Sequence, residues 1–288
     1  MILNRRAFLK TTAAGLAAGT LVSPSIFAEE KKGWKISSCD WSLGKKHHPG
    51  VFDVAKEIGL EGVQVSFPAD CKPEYNLYDP KTQELYLQRS EETGVAISSF
   101  ALGGGNAHPF WLEDDGEQLV RDAALAMDKM NVGRVILIPF FGRAQIKSDA
   151  IYEEVIRRFR NVAPVAADAG VILAIESTLS AEGHLRIIEA VKSSALQVYY
   201  DPGNMKDYQK MDTDAVCADI RKLDGWIAEA HAKDGNNLLG EGPLDYTRIL
   251  ATYREVGYTT WQVLEGSVKK DFGLVKSYRQ NAAFLRQH

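Results

Sequence analysis

The 288-residue sequence predicts a single (β/α)8 barrel, a class of α/β fold, and three observations carry that expectation. Helix-like amphipathic stretches end repeatedly on Gly or Asn, followed at once by a short apolar run, as in KEIGLEGVQVSF, EETGVAISSFAL, DKMNVGRVILIPF, ADAGVILAIES and REVGYTTWQVLEG. The punctuating residues are Gly59, Gly94, Asn131, Gly170 and Gly257, and the first four lie about 35 to 40 residues apart. That is the length of one strand-helix unit in a parallel barrel. The apolar runs are short, rich in Val and Ile and apolar on both faces, as strands covered by helices should be. Gly or Asn just past a helix accepts the left-handed conformation that ends it.

Filling in the remaining units gives eight strands, at residues 35–42, 62–67, 96–102, 134–139, 171–177, 197–201, 226–232 and 260–265. Helices are expected at residues 53–58, 81–93, 117–130, 149–169, 182–193, 213–223, 244–256 and 272–286. A doubly wound open sheet is the alternative. It lacks support, because Cys39-Asp40-Trp41-Ser42-Leu43-Gly44 stands where a G-x-G-x-x-G turn would follow the first strand.

The first 28 residues read as a leader rather than as part of the barrel. Asn4-Arg5-Arg6-Ala7-Phe8-Leu9-Lys10 is a paired-arginine region followed by an Ala/Gly/Thr-rich run, with Ile26-Phe27-Ala28 as an imperfect cleavage site. The stretch resembles a twin-arginine export signal and is too short and weakly apolar for a membrane span. The expectation is export to the periplasm with no stable membrane anchor, and a mature barrel of residues 29–288. The chain has 34 Lys+Arg and 38 Asp+Glu. Losing Arg5, Arg6 and Lys10 with no acids moves its net charge from −4 to −7. An acidic balance disfavours a nucleic-acid partner. Cys39, Cys71 and Cys217 form neither a disulfide framework nor a zinc motif.

The chemistry lies at the strand ends. Four consecutive apolar runs stop on a polar group: ILAIES at Glu176, QVYYD at Asp201, WIAEAH at His231 and WQVLE at Glu265. In a parallel barrel the strand C-termini converge on one mouth. Three carboxylates and an imidazole there suit one divalent metal ion, Mn, Mg or Co before Zn or Fe, with positions left for substrate oxygens. Without a cation, three neighbouring carboxylates would raise one another's pKa.

These residues carry a resemblance. Glu176 in AIES, Asp201 in YYDPGN, His231 in HAKD followed by Gly240-Glu241-Gly242, and Glu265 in VLEG resemble the sugar phosphate isomerase/epimerase family. This xylose-isomerase-like TIM-barrel group includes ketose 3-epimerases, hydroxypyruvate isomerases and an AP-endonuclease branch. The likeness spans the chain after the leader and is densest from Val171 onward. It implies one divalent metal held by Glu176, Asp201, His231 and Glu265, with Glu176 and Glu265 as the catalytic proton-transfer groups. The implied substrate is a small hydroxy-ketone carbohydrate. Proton removal beside its carbonyl leaves an enediolate whose charge a chelating cation stabilises. Bases on opposite faces give epimerisation, and one base along one face gives isomerisation.

Two departures stand out. Asn204 takes the place of a substrate-binding His in ketose 3-epimerases, and no Arg follows His231 where those enzymes grip the sugar. Lys233 and Asp234 read as a charge pair beneath the site or as substrate contacts. His108, in the Gly103–Trp111 loop, and Trp41 are further candidate substrate contacts, and His47 and His48 read as solvated. Export favours an unphosphorylated or oxidised (keto) saccharide. The competing classes are a lyase or dehydratase on a keto-sugar, a non-catalytic carbohydrate-binding barrel, and DNA repair. Six histidines and an acidic chain disfavour the last.

Overall fold

The computed structural model describes residues 33–69 and 72–288. The leader and Cys71 lie outside the described residues. Eight parallel strands close into a barrel in sequence order, β1 pairing with β8. They are β1 (Lys35–Cys39), β2 (Gly62–Phe67), β3 (Ala96–Leu102), β4 (Val135–Phe140), β5 (Ile172–Ser177), β6 (Leu196–Tyr200), β7 (Ile227–Ala232) and β8 (Trp261–Leu264). Nine α-helices are described: α1 (Val51–Ile58), α2 (Pro80–Thr93), α3 (Gly116–Met130), α4 (Asp149–Asp168), α5 (Ala181–Val191), α6 (Pro202–Gln209), α7 (Thr213–Lys222), α8 (Tyr246–Glu255) and α9 (Gly273–Gln287). None is long and apolar enough to cross a membrane.

The local chemistry of the helix ends explains the repeat. All five punctuating residues, Gly59, Gly94, Asn131, Gly170 and Gly257, have φ between 51° and 89°. At their starts, α2, α4, α7 and α8 are capped by Asp79, Ser148, Asp212 and Asp245, each accepting a backbone N–H. Such a cap supplies ~1 kcal/mol by satisfying an otherwise unpaired donor. Every residue of β2 and β4 is buried, Gln64 and Ser66 of β2 included.

Two apolar layers result. The larger joins helices to the outer face of the sheet, with Phe52, Tyr86, Phe159, Ile187 and Tyr253 fully covered. The smaller fills the barrel with Cys39, Ala101, Leu137, Ala174, Tyr199 and Val263.

Two elements differ from the sequence expectation. Strand β1 stops at Cys39 rather than at residue 42, because Asp40 turns the chain. Its carboxylate accepts the backbone N–H of Ser66 at 2.8 Å, the Ser66 hydroxyl at 2.7 Å and the His47 N–H at 3.2 Å. Burial still pushes the Asp40 pKa up to about 6, against those donors. His47 is thus half-buried against Asp40, not solvated. The second difference is α6, which stands between β6 and α7 where no helix was expected.

Candidate functional site

Each of the four strand-end groups reaches the same mouth. Glu176 is the penultimate residue of β5, and Asp201 follows β6. His231 sits near the end of β7, and Glu265 follows β8. One ligand atom from each lies within 4.8 Å of all the others. His231 Nδ1 is 3.1 Å from Glu176 Oε1 and 3.7 Å from both Asp201 Oδ2 and Glu265 Oε2. Glu176, Asp201 and His231 are buried, and Glu265 is half-buried.

The rest of the site orients these donors. Asn204 Nδ2 donates to Glu176 Oε1 at 3.0 Å, while its backbone N–H donates to Asp201 Oδ1 at 3.0 Å. Asp201 is therefore the N-cap of α6, with Pro202 at the first helical position. Trp41 Nε1 donates to Glu265 Oε1 at 3.0 Å, and Lys233 Nζ donates to Glu265 Oε2 at 2.9 Å. Lys233 also stands 3.4 Å from Asn204 Oδ1 and 3.6 Å from Asp201 Oδ2. The backbone of Lys233 is pinned at both N–H and C=O by the Tyr246 hydroxyl.

Beneath the donors, Gln64 of β2 stands 3.4 Å from His231 Nε2 through its Oε1. The amide is oriented by its own Nε2, which donates to Ser99 Oγ and Tyr199 Oη at 3.0 Å each. Cys39 Sγ lies 3.4 Å from the same His231 nitrogen. An acceptor on Nε2 places the imidazole proton there and leaves Nδ1 free toward the carboxylates.

The charges do not all respond as the sequence expectation held. Burial raises the Glu176 pKa, with Glu265 and Asp201 adding to it against His231. Asp201 is instead lowered. Burial opposes that, but His231, Lys233 and the Asn204 N–H favour its carboxylate more strongly. Lys233 is an internal cation among the acids, which is why mutual repulsion does not govern all three. His231 rises well above the usual imidazole range, because burial, which lowers it, is outweighed by the surrounding carboxylates.

The donor set fits a divalent cation. Asp201 Oδ2 is buried and has no hydrogen-bond partner, although it points at His231 and Lys233. A buried carboxylate oxygen so placed is what a cation would satisfy. The quartet carries three carboxylates around one neutral-capable imidazole, so its hard-oxygen character persists in three dimensions.

The mouth opens into a cavity of about 350 Å³ lined by Glu176, Asn204, Lys233, Glu265 and Trp41 among others. The five other sequence candidates fare differently. Asn204 and Trp41 line this cavity and hold carboxylates of the quartet. Lys233 does not pair with Asp234. Its side chain lines the cavity and reaches Glu265. Asp234 is fully buried away from the cavity, packed against Gly242, where any side chain would collide with its carboxylate. His108 is exposed outside the lining, whereas Gly103 and Asn106 of the same loop do line it. Gln64, Phe141 and Tyr208 were not anticipated. A lone amide within GVQVSF was the one signal for Gln64.

Residues 52–288 match the family described as Xylose isomerase-like TIM barrel. A search of curated proteins finds no match. Among solved structures, the apo 3-keto-D-glucoside 4-epimerase of E. coli aligns at TM-score 0.67 and 17% identity, covering 88% of this chain and 100% of that one. The D-psicose 3-epimerase of Clostridium cellulolyticum H10, solved with D-tagatose, aligns at 0.73 and 15%, covering 88% and 98%. A sugar phosphate isomerase/epimerase of Parabacteroides distasonis aligns at 0.70 and 13%, covering 91% and 98%. At these identities the structural likeness speaks for the fold, and the sequence match speaks for the family. The chain belongs to the xylose isomerase-like TIM barrel family.

Proposed function

We propose that this protein is a divalent-metal-dependent isomerase or epimerase of a small keto-sugar, moving a proton on carbon next to a carbonyl. The observation that carries the reading is the quartet of Glu176, Asp201, His231 and Glu265, with donor atoms within 4.8 Å at the floor of an open cavity. The sugar epimerases among similar folds support it.

Those four residues would hold the cation, which when bound supplies Lewis-acid polarisation of a carbonyl and its neighbouring hydroxyl. The protein's own groups do the rest. Glu176 and Glu265 come from β5 and β8, three strands apart on the ring, and are the candidate proton carriers. The raised pKa of Glu176 suits a group that must both take and return a proton. Trp41 and Lys233 fix both oxygens of Glu265, so its approach to substrate is set before binding. Lys233 supplies positive charge beside a developing oxyanion, and Asn204 presents an amide to a substrate hydroxyl. Burial of Glu176 and Asp201 keeps bulk water off the acids.

The test is solvent deuterium incorporation into a panel of ketoses and keto-glycosides, read by NMR with Mn²⁺, Mg²⁺ or Co²⁺ supplied. Deuterium at the carbon beside the carbonyl, dependent on metal, is the expected result. No incorporation with any of the three ions overturns the reading, and a product with an added double bond assigns a lyase instead. We further propose that the paired-arginine leader directs export and is cleaved near Ala28. N-terminal sequencing of protein recovered from the periplasm checks that.

A further inference from the structure

The cavity has two unlike walls. Toward β5–β8 it is made of Glu176, Asn204, Lys233 and Glu265. Toward β3 and β4 it is largely apolar, formed by Ala101, Leu102, Leu137, Pro139 and Phe141, with Lys46 and Asn106 as its polar members. Tyr208 completes that second wall from across the mouth. It sits four residues after Asn204 on α6, so both side chains leave the same helix face, one at the floor and one at the rim.

Phe141 and Tyr208 meet at a ring-centroid distance of 5.9 Å with planes inclined by 39°. Phe141 is held in place by its backbone N–H, which donates to Asn106 Oδ1 at 2.9 Å and so ties the loop after β4 to the loop after β3. Tyr208 remains 53% exposed, one of the few large apolar side chains so exposed among the described residues. An aromatic face at the rim of a polar site is a contact surface awaiting an apolar ligand face. A pyranose ring presents such a face in its C–H bonds, and this wall stands one helical turn above Asn204 at the floor, where a ring beyond the reacting one would lie.

We propose that this wall is a subsite for the non-reacting ring of a glycoside. The substrate class is then a keto-glycoside, its carbonyl end toward Glu176 and Glu265 and its second ring against Phe141 and Tyr208. The orientation of the reacting end rests on the function proposed above, whereas the aromatic subsite stands on its own walls.

Calorimetric binding of methyl and phenyl D-glucopyranosides, both anomers, to the Mn²⁺-supplemented protein tests it without any chemistry, because neither probe has a carbonyl. Phenyl glucoside is expected to bind roughly tenfold more tightly than methyl glucoside. Tyr208→Ala and Phe141→Ala should each remove most of that preference, and Tyr208→Phe should keep it, with Mn²⁺ affinity and melting temperature unchanged. No phenyl preference, through equal affinity or through no measurable binding of either probe, overturns the proposal. So does a preference that survives both alanine variants. A phenyl preference with no deuterium exchange in any keto-glycoside sinks the proton-transfer reading alone. Exchange with no such preference sinks the subsite alone.

Discussion

The half of the mouth built by β5–β8 and the half built by β1–β4 have the same backbone and opposite chemistry. The first ends its strands on Glu176, Asp201, His231 and Glu265 and holds them with Asn204 and Lys233. The second ends in Ala101, Leu102, Pro139 and Phe141, and reaches the quartet through Trp41, Gln64 and Cys39. The contrast shows that one closed barrel can place charge and shape on separate arcs, so each can vary without disturbing the other.

The sharpest way to break this division is to remove a proton carrier. Glu176→Gln and Glu265→Gln should each lower deuterium exchange by ~10²–10⁴-fold while the barrel stays folded. Lys46→Ala, at the rim of the other arc, should cost at most a few-fold. Equal losses in the two arcs would refute the separation. A smaller effect crosses the divide. Gln64→Leu should weaken Mn²⁺ binding by ~10–100-fold, measured by titration calorimetry. Imidazole ¹⁵N shifts of His231 should show the Nε2–H tautomer replaced by a mixture. Unaltered shifts with altered stability would make Gln64 merely a packing residue.

The smallest effect is on stability. His184 is buried, with its ring nitrogens 2.9 Å from Ser177 Oγ and 3.1 Å from Ser180 O. Burial pushes its pKa down to about 4, the Ser180 carbonyl opposing. The unfolded chain binds that proton first, so stability falls as pH drops below about 6.5 and the loss is complete near pH 4. The total reaches about 3 kcal/mol. Denaturant melts of His184→Gln across that window should show a shallower pH slope than the wild type.

Much of this was legible because it is written locally. A helix closing on Gly or Asn and a strand closing on an acid are each a few residues long, and their repetition fixed the ring and the quartet. The unread parts depend on contacts between distant segments. PGNMKDYQ offers only Pro202 and Met205 as plainly buried apolar residues, too few to show a helical stripe, so α6 and its Tyr208 went unseen. The true partner of Lys233 is Glu265, 32 residues away, and proximity in sequence pointed instead to Asp234. The end of β1 was misjudged because Asp40 is satisfied by Ser66, on the next strand.

Asp201 carries one further implication. Its Oδ1 starts α6 by accepting the Asn204 N–H, and its Oδ2 is the buried oxygen turned toward the quartet. A single carboxylate would thus be shared between a helix and a bound ion, and whatever steadies one would steady the other. Occupancy at the floor should therefore be audible at the rim: adding Mn²⁺ should slow amide hydrogen exchange across residues 204–208, turning the helix that carries Tyr208 into a gauge of whether the site is armed.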